Sequence, residues 1–216
     1  EREDDRQRLV KDHFWCIDPL DGTLAFIEST PGYAVSLALV SRGGAPLIGV
    51  VYDPVTATLY SAVKEQGAFR NGLPWALPGT HGANRFTLPC DRSLTERKDY
   101  STIIDTLESW ADSQGFSGVE TIPKGGAVMN ACRVLESSPA CYFKLPKPQN
   151  GGGSLWDFAA TACIFNEVGA AACDFDGRAL DLNCSDTTFM NQRGVILASN
   201  QSMMNSIRLL LKNGFS

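Results

Sequence analysis

The sequence predicts a mixed α/β or α+β layered sandwich, and three observations carry that expectation. Runs rich in Val, Leu and Ile recur between turn residues from Tyr33 to Val63, the pattern of an antiparallel meander. Apolar residues at helical spacing appear only beyond residue 100, in four separate stretches. Strand and helix signals mix without internal repeat or heptad seam, which fits stacked layers rather than a bundle or solenoid. At 216 residues the chain is long enough to bury a sizeable core. We expect a single domain over 1–216 with two lobes, about 1–100 around an antiparallel sheet and about 101–216 as a second α/β lobe.

Residues 1–12 form a charged surface segment, and the opening "EREDDRQRLVKDH", without an initiator Met, reads as an internal start. "FWCID" is a short buried strand that ends where Pro19 removes a backbone donor. "YAVSLALVS", "PLIGVVYDP" and "TLYSAV" make the three-stranded meander, and "GAFRNG" closes it with a turn at Asn71 and Gly72. Residues 73–99 read as a loop with one strand at "RFTLP". "STIIDTLESWADSQG" is a helix with Ile104, Leu107 and Trp110 on one face, Ser101 as N-cap and Gly115 beyond its end. A second helix follows in "GAVMNACRVLESS", then a strand in "ACYFKL" and a flexible stretch in "KPQNGGGS". "LWDFAATACIFNEVG" is a third helix, "GVILASN" a strand and "SMMNSIRLLLKNG" the last helix.

Composition excludes several classes. With 44% hydrophobic and 20% charged residues the chain is globular. A net charge of -5 and a pI near 5.0 argue against a nucleic-acid polymer as partner, which calls for a basic stripe. No apolar run reaches the length of a membrane span, so no membrane partner is expected. The seven cysteines have no C-x-x-C spacing and sit mostly in apolar runs, as reduced buried residues of a cytoplasmic protein do.

The informative stretch is "WCIDPLDGTLAFI". Asp-Pro and Asp-Gly are turn dipeptides, so "DPLDGT" reads on its own as a loop between strand and helix. The apolar flanks favour a second interpretation, because Asp18 and Asp21 in such surroundings cost several kcal/mol to desolvate unless a cation neutralises them. Hard oxygen donors suit Mg²⁺ or Mn²⁺. An EF-hand does not fit: counting back from Gly22 finds Ile17 and Pro19 where that loop needs oxygen donors. Asp174 and Asp176 in "DFDG" read as hairpin-turn residues. Asp157 in "GGGSLWDFAAT" has two interpretations as well: the capping box of Ser154 at a helix start, or a third carboxylate completing a site with Asp18 and Asp21. His13 and His81 sit in polar segments without ligand spacing, and Cys16 lacks a nearby base. The P-loop, dinucleotide and nucleophile-elbow motifs are absent from the sequence.

"WCIDPLDGTLAFI" together with "LWDFAAT" resembles the two signature motifs of the inositol monophosphatase superfamily, Mg²⁺-dependent, lithium-sensitive phosphomonoesterases. "IGVVYDPVTATLYSAVKEQGAFRNG" is similar to the family's central hairpin region and "GRALDL" to its downstream strand, so the likeness runs from about Phe14 to Ser199. The resemblance implies an αβαβα sandwich of the inositol monophosphatase/fructose-1,6-bisphosphatase type, its N-terminal part missing, in a homodimer. It implies Asp18 and Asp21 as metal ligands, with the Leu20 backbone carbonyl on one ion, and Asp157 on a second metal near the leaving oxygen. Gly22 and Thr23 would present amides to the phosphate, and the Thr23 hydroxyl would orient the attacking water. Glu1 would be the last member of an upstream Glu-Glu pair, both metal ligand and catalytic group. Lys124, Gly126 and Ala127 would face the substrate. The implied cofactor is two or three Mg²⁺ ions, with Mn²⁺ as a substitute. The implied reaction is hydrolysis of a small phosphorylated metabolite, an inositol phosphate or related polyol phosphate. Alternatives are a 3′(2′),5′-bisphosphate nucleotide, or histidinol phosphate, whose branch carries "RAFI" where this chain has "LAFI". A non-catalytic metal- or phosphosugar-binding protein and a purely structural interaction domain stand as readings of another class.

Overall fold

In the computed structural model, residues 6–79 and 83–214 are described. β1 (His13–Asp21), β2 (Ala34–Ser41), β3 (Pro46–Asp53), β4 (Thr58–Val63), β5 (Ala68–Arg70) and β6 (Leu73–Trp75) form one antiparallel sheet in chain order. The expected meander is its centre. Alternation along β2 turns Ala34, Ser36, Ala38 and Val40 inward. Asn71 and Gly72, both at positive φ (51° and 77°), make the two-residue turn between β5 and β6.

β1 departs from expectation. It runs through Pro19 to Asp21 instead of stopping, because it is an edge strand, where a missing N–H breaks no ladder bond. Nor is it buried on both sides: Trp15 and Ile17 are 58% and 53% exposed on its outer face.

A second layer begins with β7 (Phe86–Pro89) and β8 (Val119–Ile122), a parallel pair joined through α2 (Arg92–Thr95) and α3 (Tyr100–Ser113). β9 (Cys141–Lys144), β10 (Ala171–Cys173) and β11 (Val195–Ala198) form an antiparallel sheet in the order β10-β11-β9. A bridge from Thr87 to Ala140 links β7 to the start of β9. α4 (Ala127–Glu136) and α5 (Leu155–Val168) lie between the two sheet layers, and α3 and α6 (Gln201–Gly214) cover the far side. The described residues thus stack as sheet, helices, sheet, helices, a layered α/β fold.

Strand periodicity shows why the second layer is central. In β11, Val195 and Leu197 join the cluster around α4 and α5, whereas Ile196 and Ala198 join the cluster under α3 and α6. Gly49 on β3 explains how closely α5 approaches the first sheet: a Cβ there would collide with the Ala160 carbonyl and sit 2.8 Å from Cys163 Cβ.

Other local expectations change with context. Asp99, not Ser101, is the residue before α3, and its carboxylate makes no cap bond because Arg97 holds it through two hydrogen bonds of 2.8 and 2.7 Å. "GRALDL" forms no strand; Leu180 and Leu182 anchor it to the first cluster as a loop. Asp174 Oδ1 accepts the Asp176 and Arg178 amides (2.9 and 2.8 Å), a turn as expected but not a hairpin, since β10 pairs with the distant β11. The first segment is not wholly solvated, since Arg8 is buried and donates to Asn183 Oδ1 (2.7 Å) and the Cys184 carbonyl (2.8 Å). All seven cysteines are thiols rather than disulfides, and six are buried.

Candidate metal centre

Residues three apart on a regular strand face opposite sides. Asp18 pairs with Ser36 and Asp21 with Ala34, so three steps along β1 oppose two along β2. That extra residue is a β-bulge. It turns both carboxylates to the inner face, where Asp18 is 4% and Asp21 6% exposed. Within the bulge the Leu20 N–H donates to Asp18 Oδ1 at 3.0 Å. Gly22 follows at φ 79° and opens α1 (Thr23–Ile27), and the Thr23 hydroxyl donates back to the Leu20 carbonyl at 3.1 Å.

Asp157 arrives from the first turn of α5. The capping box is formed, with the Ser154 N–H donating to Asp157 Oδ2. The two interpretations of this residue are therefore compatible: capping fixes the carboxylate at a helix start that faces β1. Oxygens of Asp18, Asp21 and Asp157 all lie within 4.8 Å of one another.

The start of α4 closes the site from a third side. The Val128 N–H donates to Asp21 Oδ2 at 3.0 Å, and the Gly126 N–H to the Gly32 carbonyl at 2.8 Å. Backbone meets backbone here: a Cβ on Gly126 would collide with Asp21 Oδ2 and lie 2.5 Å from the Gly22 nitrogen. Gly126→Ala is expected to push α4 off the bulge, costing about 1–3 kcal/mol of stability and weakening Mg²⁺ binding by roughly tenfold or more. Thermal melts with and without Mg²⁺ read both effects, and an unchanged melt with unchanged Mg²⁺ response contradicts this account of the packing.

Burial, then the charges of Asp157 and Asp18, push the Asp21 carboxyl up from 3.8 to about 8, against the Val128 amide and Lys144, which lower it. Burial is also the main cause that raises Asp157 to about 6; the Ser154 amide and Lys144 oppose it, while Asp18 adds to the rise. A pocket of three oxygen-donor carboxylates, strained by its own negative charge, fits a hard divalent cation.

Lys144 is the site neighbour that sequence patterning passes over, since a lone lysine ending an apolar strand carries no motif. It pairs with Asp91 at 3.1 Å. Asp91 also accepts from Asn130 Nδ2 (3.1 Å) and the Tyr142 hydroxyl (3.0 Å), tying α4 and β9 together beside the carboxylates. Among the remaining candidates, Lys124 is exposed in the turn before α4, with its carbonyl accepting from the Arg133 guanidinium. Ala127 is 3% exposed, its methyl group in the core, so it offers the site backbone only. His13 is exposed, Cys16 is buried, and Glu1 and His81 lie outside the described residues.

A stack of sheets and helices with an all-carboxylate cluster where β1, α4 and α5 meet defines a class, an α/β protein built around a candidate cation site. The model of the Inositol monophosphatase family matches residues 2–212, and the chain belongs to that family. It is 30% identical over 177 residues to the inositol monophosphatase of Mesembryanthemum crystallinum, covering 81% of this chain and 61% of that protein. It is also 30% identical over 169 residues to the Nus factor SuhB of Pasteurella multocida, covering 76% and 57%. The chain thus spans about three fifths of the curated relatives it matches. The inositol monophosphatase structure from Anabaena superposes with a TM-score of 0.71 at 25% identity, over 97% of this chain and 74% of that one. A dual-specific IMPase/NADP phosphatase bound with D-inositol-1-phosphate gives 0.74 at 19% identity, over 100% and 74%, a likeness of fold. Among the described residues no helix is long and apolar enough to cross a membrane.

Proposed function

We propose that the protein is a Mg²⁺-dependent phosphomonoesterase acting on a small phosphorylated metabolite, in the manner of an inositol monophosphatase. The observation that carries this is the convergence of Asp18, Asp21 and Asp157 within 4.8 Å across a β-bulge and a helix start. Those carboxylates and the Leu20 carbonyl, which keeps a second lone pair beside its bond from Thr23, would hold the ions. Bound Mg²⁺ supplies Lewis acidity that makes water nucleophilic at neutral pH and offsets phosphoryl charge. The Gly22 and Thr23 amides orient the phosphate, and the Thr23 hydroxyl, set by the Leu20 carbonyl, orients the attacking water. Glu1 is retained as an upstream carboxylate, and Lys124 and Gly126 as the wall facing the leaving group. Mn²⁺ as a substitute ion, a single domain of two lobes, a cytoplasmic setting and a homodimer belong to the same proposal, supported by family membership.

The test is phosphate release by the full-length protein from inositol phosphates, histidinol phosphate and 3′(2′),5′-bisphosphate nucleotides, with Mg²⁺, with Mn²⁺, with EDTA and with added Li⁺. Release that requires the divalent ion is expected. Turnover undiminished in EDTA, or none on any member of the panel, overturns the proposal.

A further inference from the structure

We infer that the cleft beside the carboxylate centre, walled by Lys144, Lys147 and Arg97, binds a second anionic group, so the preferred substrate is a small phosphate ester carrying two anionic groups. This inference rests on the phosphatase proposal above and adds the substrate class to it.

The cleft has a volume of about 140 Å³ and is lined by those three cations together with Ser93, Asn191 and Asp91. A single ordered water needs roughly 10–15 Å³ of that space, so the cleft can take a phosphate or carboxylate group with waters around it.

The lining charge is positive in a chain whose net charge is -5. The single lining carboxylate, Asp91, is already taken up by Tyr142, Asn130 and Lys144. Lys144 keeps ammonium donors beyond the one spent on Asp91. Arg97 is shared with Asp99, which lies outside the lining. Lys147 has no carboxylate within ion-pair distance among the described residues.

The cleft is also built rather than incidental. The Lys147 N–H donates to the Asn191 carbonyl and Asn191 Nδ2 donates to the Lys147 carbonyl, both at 2.9 Å, which fixes the backbone from which the ammonium extends. Gly152, at φ 79°, gives that side chain room: a Cβ there would lie 3.0 Å from Lys147 Nζ. The next residue, Gly153, comes so close to the carboxylate centre that a Cβ would lie 3.2 Å from Asp157 Oδ2. Lys144 stands between the two regions, paired with Asp91 in the cleft while its charge acts on Asp21 and Asp157. One substrate can therefore set a scissile phosphate at the carboxylates and a second anion against the lysines, each charge-assisted contact adding affinity.

The experiment uses the full-length protein and two matched pairs, inositol 1-phosphate with inositol 1,4-bisphosphate and 3′-AMP with adenosine 3′,5′-bisphosphate. Phosphate release with Mg²⁺ gives kcat/KM, and calorimetry on the Ca²⁺-loaded protein gives affinity. In at least one pair the bisphosphate is expected to exceed the monophosphate by about tenfold or more in kcat/KM. Lys147→Ala, at an exposed position, is expected to bring that ratio down about tenfold, and Lys147→Arg to retain it. Ratios near one in both pairs, or a ratio that Lys147→Ala leaves unchanged, overturn the inference while the phosphatase proposal stands. No hydrolysis of any compound, with the bisphosphate still binding more tightly and Lys147→Ala abolishing that preference, keeps the anion site and overturns the phosphatase proposal.

Discussion

Asp18→Asn in the full-length protein is expected to lower kcat for phosphate release by roughly 10²–10³-fold, a loss of about 2.7–4 kcal/mol of transition-state stabilisation. The fold should survive the change. Asn retains an Oδ1 that can accept the Leu20 N–H, the bond Asp18 makes inside the bulge. It also replaces one of three crowded, buried carboxyl groups with a neutral amide, so metal-free stability should hold or rise. Activity and ion affinity would then fall while the EDTA melting temperature does not, a signature that a residue serving only as turn chemistry cannot produce. Phosphate-release kinetics, a Mg²⁺ titration and a melt in EDTA check it together. Near wild-type kcat, or a metal-free melt lowered as far as by a core truncation, counts against Asp18 as an ion ligand.

Much of this site was legible in the letters, though the geometry was not. Asp18 and Asp21 stood out because carboxylates do not sit in apolar flanks without a reason, yet their spacing is wrong for a shared strand face. The bulge that corrects it depends on how β2 pairs with β1, a tertiary fact with no local signature. Pro19 predicts a strand end because a proline costs a ladder bond; at a sheet edge it costs none. Asp157 was visible twice over, as a capping residue and as a candidate ligand, and it serves the cap while standing in the cluster. The longer helices and the meander followed from periodicity, and β9 and β11 from short apolar runs, whereas β8 mixes Glu120 and Thr121 into its four residues and β10 has only three. Lys144 and Asp91 carry no local signal because their meaning is the approach of β9, α4 and the start of α2, residues far apart in the chain.

The metal-free protein should lose stability as pH rises, and Mg²⁺ should cancel that loss. Asp21 is raised from 3.8 to about 8 and Asp157 to about 6, chiefly by burial, with the neighbouring carboxylates adding to it. A folded-state pKa above the unfolded value means the folded chain binds more protons over the interval between them, so unfolding free energy falls with pH there. The stabilisation is complete below about 3.8 and is lost as pH climbs through about 6 for Asp157 and about 8 for Asp21. Between pH 5.5 and 8.5 the loss should be on the order of a few kcal/mol. A divalent ion requires the ionised carboxylates, so its binding expels protons and strengthens with pH. Saturating Mg²⁺ should therefore flatten the slope and raise stability most at the alkaline end. Urea denaturation at several pH values, in EDTA and in Mg²⁺, measures the two curves, and calorimetry in buffers of different ionisation enthalpy counts the protons released. Asp21→Asn should remove most of the EDTA slope, because an amide cannot take up the proton. Stability in EDTA that is level or rising from pH 5.5 to 8.5, with no response to Mg²⁺, is incompatible with a buried carboxylate cluster held together by cations.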